Sequence, residues 1–136
     1  MDIAAIQGFL TNAYWSIGIP RATVERAVQN SLCFGLFFSN QQIGFARAIT
    51  DKATFAYLCD VYVLDSHRGQ GLGLWMMESI LRHPDMQGLR RINLVTKDAH
   101  ALYRKIGFHA LKNPSGCMEI HHPDIYRAHE QPRTEA

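Results

Sequence analysis

The sequence lacks the features that mark membrane, secreted or nucleic-acid-binding proteins. No apolar run approaches the roughly 20 residues of a membrane-spanning helix, and the N-terminus has neither the basic region nor the cleavage site of a secretory signal. Its 14 basic and 12 acidic residues are interspersed, so the formal net charge is +2 and no basic cluster marks a surface for DNA or RNA. We therefore expect no membrane partner, no nucleic-acid partner and a cytoplasmic location.

Cysteine is scarce and histidine is poorly placed for binding a metal. Cys33, Cys59 and Cys117 are an odd number, lie far apart and form no CxxC pair. They fit reduced thiols better than a disulfide framework or a zinc site. The seven histidines show neither HxxxH nor HExxH spacing. We expect no metal site.

The 136 residues, 47% of them hydrophobic, are enough for one core, so we expect a single domain over residues 1–136. Spacing and composition predict two helices, a hairpin turning at Ser39, Asn40 and Gln41, and then a strand, helix, strand and helix. A closing strand over residues 117–122 and a polar tail over residues 122–136 would follow. The fold class is therefore α/β with a mixed sheet, in which antiparallel strands lead into a parallel βαβ crossover. The predicted elements lie in residues 2–15, 20–31, 32–50, 54–64, 72–83, 91–96 and 98–107.

A glycine-rich stretch, "RGQGLG" at residues 68–73, separates the best predicted strand from a helix. Glycines at alternate positions let successive backbone N–H groups converge, and the start of a helix adds partial positive charge. Such a turn can bind a phosphate, with Arg68 and His67 as charged neighbours. The alternative is a glycine-rich connector that binds no ligand.

Two familiar phosphate-binding loops do not fit these glycines. A P-loop requires GxxxxGK[ST], and the lysine and the hydroxyl residue are both missing here. A dinucleotide-binding turn requires GxGxxG in the first strand-to-helix turn, whereas this sequence has GxGxG after two helices and a hairpin. Neither nucleotide hydrolysis nor dinucleotide binding is supported.

A third loop does match, and a second motif accompanies it. The stretch fits the [QR]-x-x-G-x-[GA] loop of the GNAT (GCN5-related N-acetyltransferase) superfamily, and "VYVLDSHRG" before it is similar to the strand that precedes that loop. Downstream, "TKDAHALYRKIGF" resembles the family's N-x-x-A-x-x-L-[YF]-x-K-x-G-F, departing at Thr96, where asparagine is common. The resemblance covers roughly residues 35–120.

The resemblance implies a GNAT acyl-CoA N-acyltransferase fold in which residues 1–31 form a helical segment on the substrate side. It implies transfer of an acetyl group from acetyl-CoA to a primary amine, on a small molecule, peptide or protein, by direct attack in a ternary complex. Backbone groups of the strand would pair with the pantetheine arm, and the loop N–H groups would bind the pyrophosphate. A homodimer is common among relatives. The cofactor-binding residues so implied are Val61, Tyr62, Val63, Arg68, Gly69, Gln70, Gly71, Leu72, Gly73 and Thr96.

Two residues are candidates for catalysis. Tyr103 matches the tyrosine that protonates the departing thiolate in many members, although its spacing with Leu102 and Ile106 also suits a core position. Strand alternation places Leu58, Asp60 and Tyr62 on one face of the predicted strand. Asp60 would accept the amine's proton through water, or it is a structural aspartate paired with a neighbouring loop. Further candidates for the base are Glu25, Asp51 and Glu119.

The acceptor side is less defined by the sequence. Tyr14, Trp15 and Tyr57 are candidates for an acceptor pocket, with a place in the core as the alternative. A second function stays open: a non-catalytic module that binds acyl-CoA for regulation or interaction on the same fold.

Overall fold

The computed structural model describes residues 1–127, which fall into two compact units. One comprises Met1–Gln29 with the described part of Leu111–Ala136, and the other comprises Asn30–Ala110. No helix in the described part of the chain is long and apolar enough to cross a membrane. One domain over residues 1–136 stays a prediction.

The first unit contains two short helices, α1 (Ile3–Leu10) and α2 (Arg21–Gln29). Asp2 caps α1, because its carboxylate accepts a hydrogen bond from the Ala5 N–H at 3.0 Å. α2 begins directly after Pro20, as expected for a residue that fixes φ and lacks an N–H. The helices pack together and bury Ile6, Leu10 and Val24.

The predicted closing strand over residues 117–122 is wrong. A short 3-10 turn at Pro114–Gly116 leads into this segment, which forms no strand, and Met118 and Ile120 are 96% and 91% exposed. Alternating apolar residues form a strand only where another strand pairs with their backbone, and within residues 1–127 no strand pairs with this segment. Of the predicted tail, residues 128–136 lie outside the described residues.

The second unit is built on a four-stranded sheet in the order β1-β2-β3-β4. The first two pairs are antiparallel and β3 pairs with β4 in parallel, which confirms the mixed sheet. Ser39 and Asn40 both have positive φ, 49° and 65°, as a two-residue hairpin turn requires, so the predicted hairpin is also confirmed. The strands are β1 (Leu32–Phe38), β2 (Gln41–Thr50), β3 (Phe55–Val63) and β4 (Arg91–Leu94).

Two helices accompany the sheet: α3 (Leu72–Arg82) between β3 and β4, and α4 (His100–Arg104) after β4. One face of the sheet and these helices share a hydrophobic core, in which aliphatic side chains from the strands meet the methionines of α3 and the tyrosine of α4. The core includes Ala46, Ala48, Ala56, Leu58, Met76, Met77, Ile80 and Tyr103. α4 is shorter than predicted, and Gly107, with φ of 104°, follows it.

The turn between β2 and β3 depends on one carboxylate. Asp51 accepts hydrogen bonds from the N–H groups of Ala53 and Thr54 at 2.9 and 2.7 Å and from the Thr54 hydroxyl at 2.6 Å. The bond from the Thr54 hydroxyl, followed by the bonds from the backbone N–H groups, holds the pKa of Asp51 well below its usual range.

Removing the Asp51 carboxylate should make the free energy of unfolding depend less on pH in the acidic range. The folded pKa of Asp51 is lowered, so its contribution is complete above the unfolded pKa of about 4 and is lost as pH falls towards the folded pKa. We expect Asp51→Ala to lower Tm at pH 7, and the difference from wild type to shrink as pH falls below about 4. Calorimetry at several pH values measures this; a difference that stays constant across that range would contradict it.

Candidate active site

A gap opens beside β3, where β4 stops pairing with it. The parallel pairs run from Phe55↔Arg91 to Leu58↔Leu94, and within the described residues no strand pairs with Cys59–Val63 on that side. The Leu64 N–H donates to the Ile43 carbonyl on β2 at 2.7 Å, so the N–H and C=O of the preceding Val63 point the other way, towards the gap. The sheet thus presents backbone groups at an open edge.

A β-bulge in β3 overturns the predicted alternation. Phe45 faces Tyr62 and Arg47 faces Cys59, so Ala46 alone opposes both Asp60 and Val61. The extra residue shifts the side-chain period, and Val61 and Val63 now lie against the same core as Leu58. Leu58 and Tyr62 therefore do not share a face as alternation had placed them. Asp60 has φ of 54° in the left-handed region.

Asp60 is ion-paired rather than isolated. The Arg47 Nε donates to the Asp60 Oδ2 at 2.9 Å, and both side chains are mostly buried, at 16% and 11% exposure. The Arg47 Nη1 also donates to the Ser31 hydroxyl at 3.0 Å. Burial lowers the pKa of Arg47, but the charge of Asp60 and the hydrogen bond to it, together with the nearby thiols, raise that pKa overall, so Arg47 remains a cation. This partner lies on β2, and a role for Asp60 in proton transfer stays a prediction.

Two thiols flank Arg47 across the sheet. Cys33 on β1 and Cys59 on β3 are both its register partners. Burial, partly opposed by the charge of Arg47, raises the pKa of Cys33 and raises that of Cys59 to about 12. Both thiols therefore stay protonated at neutral pH and are poor nucleophiles.

Alkylation of the native protein should distinguish the three cysteines. Cys117 is exposed, whereas the other two are half-buried and have raised pKa values. We expect iodoacetamide at pH 8 to label Cys117 first and Cys59 last, because only the thiolate reacts. Mass spectrometry of peptides over time measures the order, and early labelling of Cys59 would contradict it.

The glycine-rich loop is exposed, and its donors are not used by the fold. Within residues 1–127 the N–H groups from Gly69 to Gly73 donate no hydrogen bond, whereas the Arg68 N–H donates to the Asp65 carbonyl at 3.3 Å. Gly69 and Gly71 have φ of 80° and 75°, and Gly71 is the N-cap of α3. A Cβ at either glycine would meet nothing within 4 Å, so the turn requires glycine for its backbone angles.

Arg68 and Thr96 have structural partners that sequence reasoning missed. The Arg68 Nε donates to the Val63 carbonyl at 2.9 Å, and its Nη1 pairs with Asp65. The guanidinium therefore joins the end of β3 to the loop. The Thr96 hydroxyl accepts a hydrogen bond from the Ala99 N–H at 3.1 Å ahead of α4, which leaves its own hydrogen as a donor.

Tyr103 lies on α4 and is 8% exposed. Its ring belongs to the core and meets the Phe108 ring edge to face, with centroids 5.7 Å apart. The structure thus places Tyr103 in the same core as Val61 and Val63.

The other candidate bases and pocket residues lie elsewhere. Asp51 is committed to the β2–β3 turn, Glu25 pairs with Arg21 at 3.2 Å on α2, and Glu119 is exposed in the segment after the 3-10 turn. The Tyr14 and Trp15 rings meet edge to face at 5.0 Å and are partly exposed, and Tyr57 is half-buried on β3. Within the described residues no group of His, Cys, Asp and Glu side chains could hold a metal.

Comparisons with known proteins agree on one family. The sequence profile described as the acetyltransferase (GNAT) domain matches residues 29–110. A GNAT-family protein of Xanthomonas campestris pv. campestris, known from a crystal structure, is 47% identical and superposes with a TM-score of 0.90 over 93% of this chain and 89% of its own. Protein FG08082 of Gibberella zeae, which is named as an acetyltransferase, is 32% identical to this chain over 128 residues. The match covers 77% of this chain and 71% of that protein.

A more distant structure shares the fold. An acetyltransferase of Clostridium acetobutylicum, solved with acetyl-CoA, is 18% identical and has a TM-score of 0.66 over 88% of this chain and 90% of its own. Together with the mixed sheet, the open edge of β3 and the glycine loop, the profile match and the two closer relatives assign the chain. It belongs to the GNAT family of acetyltransferases.

Proposed function

We propose that the protein transfers an acetyl group from acetyl-CoA to a primary amine by direct attack in a ternary complex. The observation that carries this proposal is the run of N–H groups from Gly69 to Gly73, which the described fold leaves without acceptors beside the start of α3. Converging N–H groups at a helix start favour a phosphate. The fold-related Clostridium protein was solved with acetyl-CoA, which supports this choice of cofactor.

The arrangement of the described residues supports this choice of cofactor. The loop N–H groups would bind the pyrophosphate, and within residues 1–127 no atom lies within 4 Å of the place that a Cβ would take at Gly69 or Gly71. The stretch from Val61 to Val63, in which the Val63 backbone faces the gap, would pair with the amides of the pantetheine arm. Arg68 would act through the loop, since its guanidinium is bound to Val63 and Asp65, and Thr96 would donate its remaining hydrogen.

Acetyl-CoA, when bound, supplies the thioester that the acceptor amine attacks. Tyr103 would give the departing thiolate a proton, because its hydroxyl is carried on α4 beside the same core as Val61 and Val63, and the attacking nitrogen would lose its own proton to water. A backbone N–H of β3 would stabilise the negative charge that develops on the carbonyl oxygen. The acceptor would be an amine on a small molecule, a peptide or a protein.

Cofactor choice is tested by calorimetric titration. Acetyl-CoA and CoA should bind with similar affinity, because the loop contacts the shared pyrophosphate, whereas NAD and ATP should bind far more weakly. Equal binding of NAD would contradict the proposal. A cytoplasmic location and a homodimer belong to the same proposal; gel filtration with light scattering tests the dimer.

A further inference from the structure

We infer that Arg47 is a positioning residue, which acts through Asp60 to hold the bulge that turns the β3 edge towards the cofactor. This inference rests on the proposed function, since it concerns the same strand edge. Arg47 would not touch the cofactor. It would fix the backbone on which Val61 and Val63 are presented.

Asp60 has an unusual backbone conformation. Its φ of 54° lies in the left-handed region, which residues with a Cβ adopt only when their surroundings require it. Ala46 faces both Asp60 and Val61, so this unusual angle lies inside the bulge itself. Without the bulge, the side chains of β3 would alternate regularly, and Val61 and Val63 would lie on the face of the sheet opposite to the core.

Arg47, bound to Asp60 and to Ser31, would hold Asp60 at this angle. The Asp60 carboxylate is bound by the Arg47 Nε at 2.9 Å, and Ser31 fixes the same guanidinium from the other side through Nη1 at 3.0 Å. Both side chains are mostly buried, so losing this ion pair would cost more than losing an exposed one. The guanidinium of arginine is planar, and its N–H groups point in fixed directions. Binding Ser31 and Asp60 at once therefore restricts where the Asp60 backbone can lie.

The bulge determines which backbone groups of β3 point to the gap. The bulge ends immediately before Tyr62, whose partner on β2 is Phe45, and the Leu64 N–H to Ile43 carbonyl bond then fixes the direction of Val63. A change of register at Asp60 would exchange the backbone groups that point to β2 with those that point to the gap. The pair therefore sets which N–H groups of β3 are offered to a ligand.

Glycine provides the test, because it adopts the left-handed angle without support from a side chain. Arg47→Met removes the pair and leaves an aspartate at the strained angle; Arg47→Met with Asp60→Gly removes both charges and relieves the strain. We expect Arg47→Met to weaken acetyl-CoA binding about tenfold, and the double variant to bind within about threefold of wild type. Lys52→Met, which removes the exposed pair with Asp85, is the matched control and should bind as wild type.

The outcomes separate this inference from the proposed function. In Arg47→Met the Cα and Cβ chemical shifts of Asp60 should move from left-handed values towards extended ones, whether or not acetyl-CoA binds. Unchanged shifts and unchanged affinity in folded Arg47→Met would overturn the inference, and so would a double variant that folds but binds as weakly as Arg47→Met. If Arg47→Met does not fold, the affinity of the double variant for acetyl-CoA decides. Binding within about threefold of wild type supports the inference, and weaker binding overturns it. Wild type that fails to bind acetyl-CoA would instead overturn the proposed function.

Discussion

Tyr103→Phe is expected to lower kcat for acetyl transfer by about 10²-fold while leaving the Kd for acetyl-CoA unchanged, the size of effect typical of losing a positioned proton donor. The ring of Tyr103 is held in the core and against Phe108, so phenylalanine preserves the packing and removes only the hydroxyl. The departing thiolate would then have to take its proton from water.

Steady-state kinetics and calorimetric titration of the same preparation measure the two quantities. Tyr126→Phe, outside the sheet unit, is the control for loss of a tyrosine hydroxyl and should leave kcat unchanged. If Tyr103→Phe keeps full kcat and loses only thermal stability, Tyr103 is a core residue with no part in the chemistry.

Gly71→Ala is expected to weaken CoA binding about ten- to hundredfold, because one misdirected N–H to a charged phosphate corresponds to about 1.5–3 kcal/mol. Gly71 has φ of 75° at the N-cap of α3, so a Cβ would force the turn towards another backbone conformation. The donors from Gly69 to Gly73 would then no longer converge.

Gly88→Ala provides a matched control for the strain itself. Gly88 has φ of 72° and lies in the loop before β4; as at Gly71, no atom of the described residues lies within 4 Å of the place that a Cβ would take. Both variants should lose about 1–2 kcal/mol of unfolding free energy, and only Gly71→Ala should lose affinity. Equal affinities in the two variants would show that the glycine loop is structural.

The sheet and the loop were predictable from sequence because their signals are local. Aromatic and β-branched residues mark β3, and the alternate glycines of residues 68–73 match a backbone that needs positive φ at Gly69 and Gly71. The segment over residues 117–122 shows the limit of such signals. Its alternation is real, but a strand also needs a partner, and pairing is a property of the tertiary structure.

The bulge and the Arg47–Asp60 pair could not be derived from local pattern. Their signal is an arginine amid the apolar residues of β2 and an aspartate amid those of β3, thirteen residues apart. The sequence indicated that Asp60 would have a partner or face the cleft, but it could not identify the partner, because the register of two strands decides which side chains meet. The same limit applies to Arg68, whose contact with the Val63 carbonyl follows from how the chain turns after β3.

The central claim, acetyl transfer to an amine, is tested most directly by incubating the protein and acetyl-CoA with a panel of amines. The panel would contain polyamines, amino acids, aminoglycosides and lysine peptides, and mass spectrometry would quantify CoA and acetylated product. The account predicts that at least one amine yields CoA and product in equal amounts, at a rate that Tyr103→Phe lowers sharply. Tight acetyl-CoA binding without amine-dependent CoA release across the panel would contradict it and favour the non-catalytic acyl-CoA-binding module.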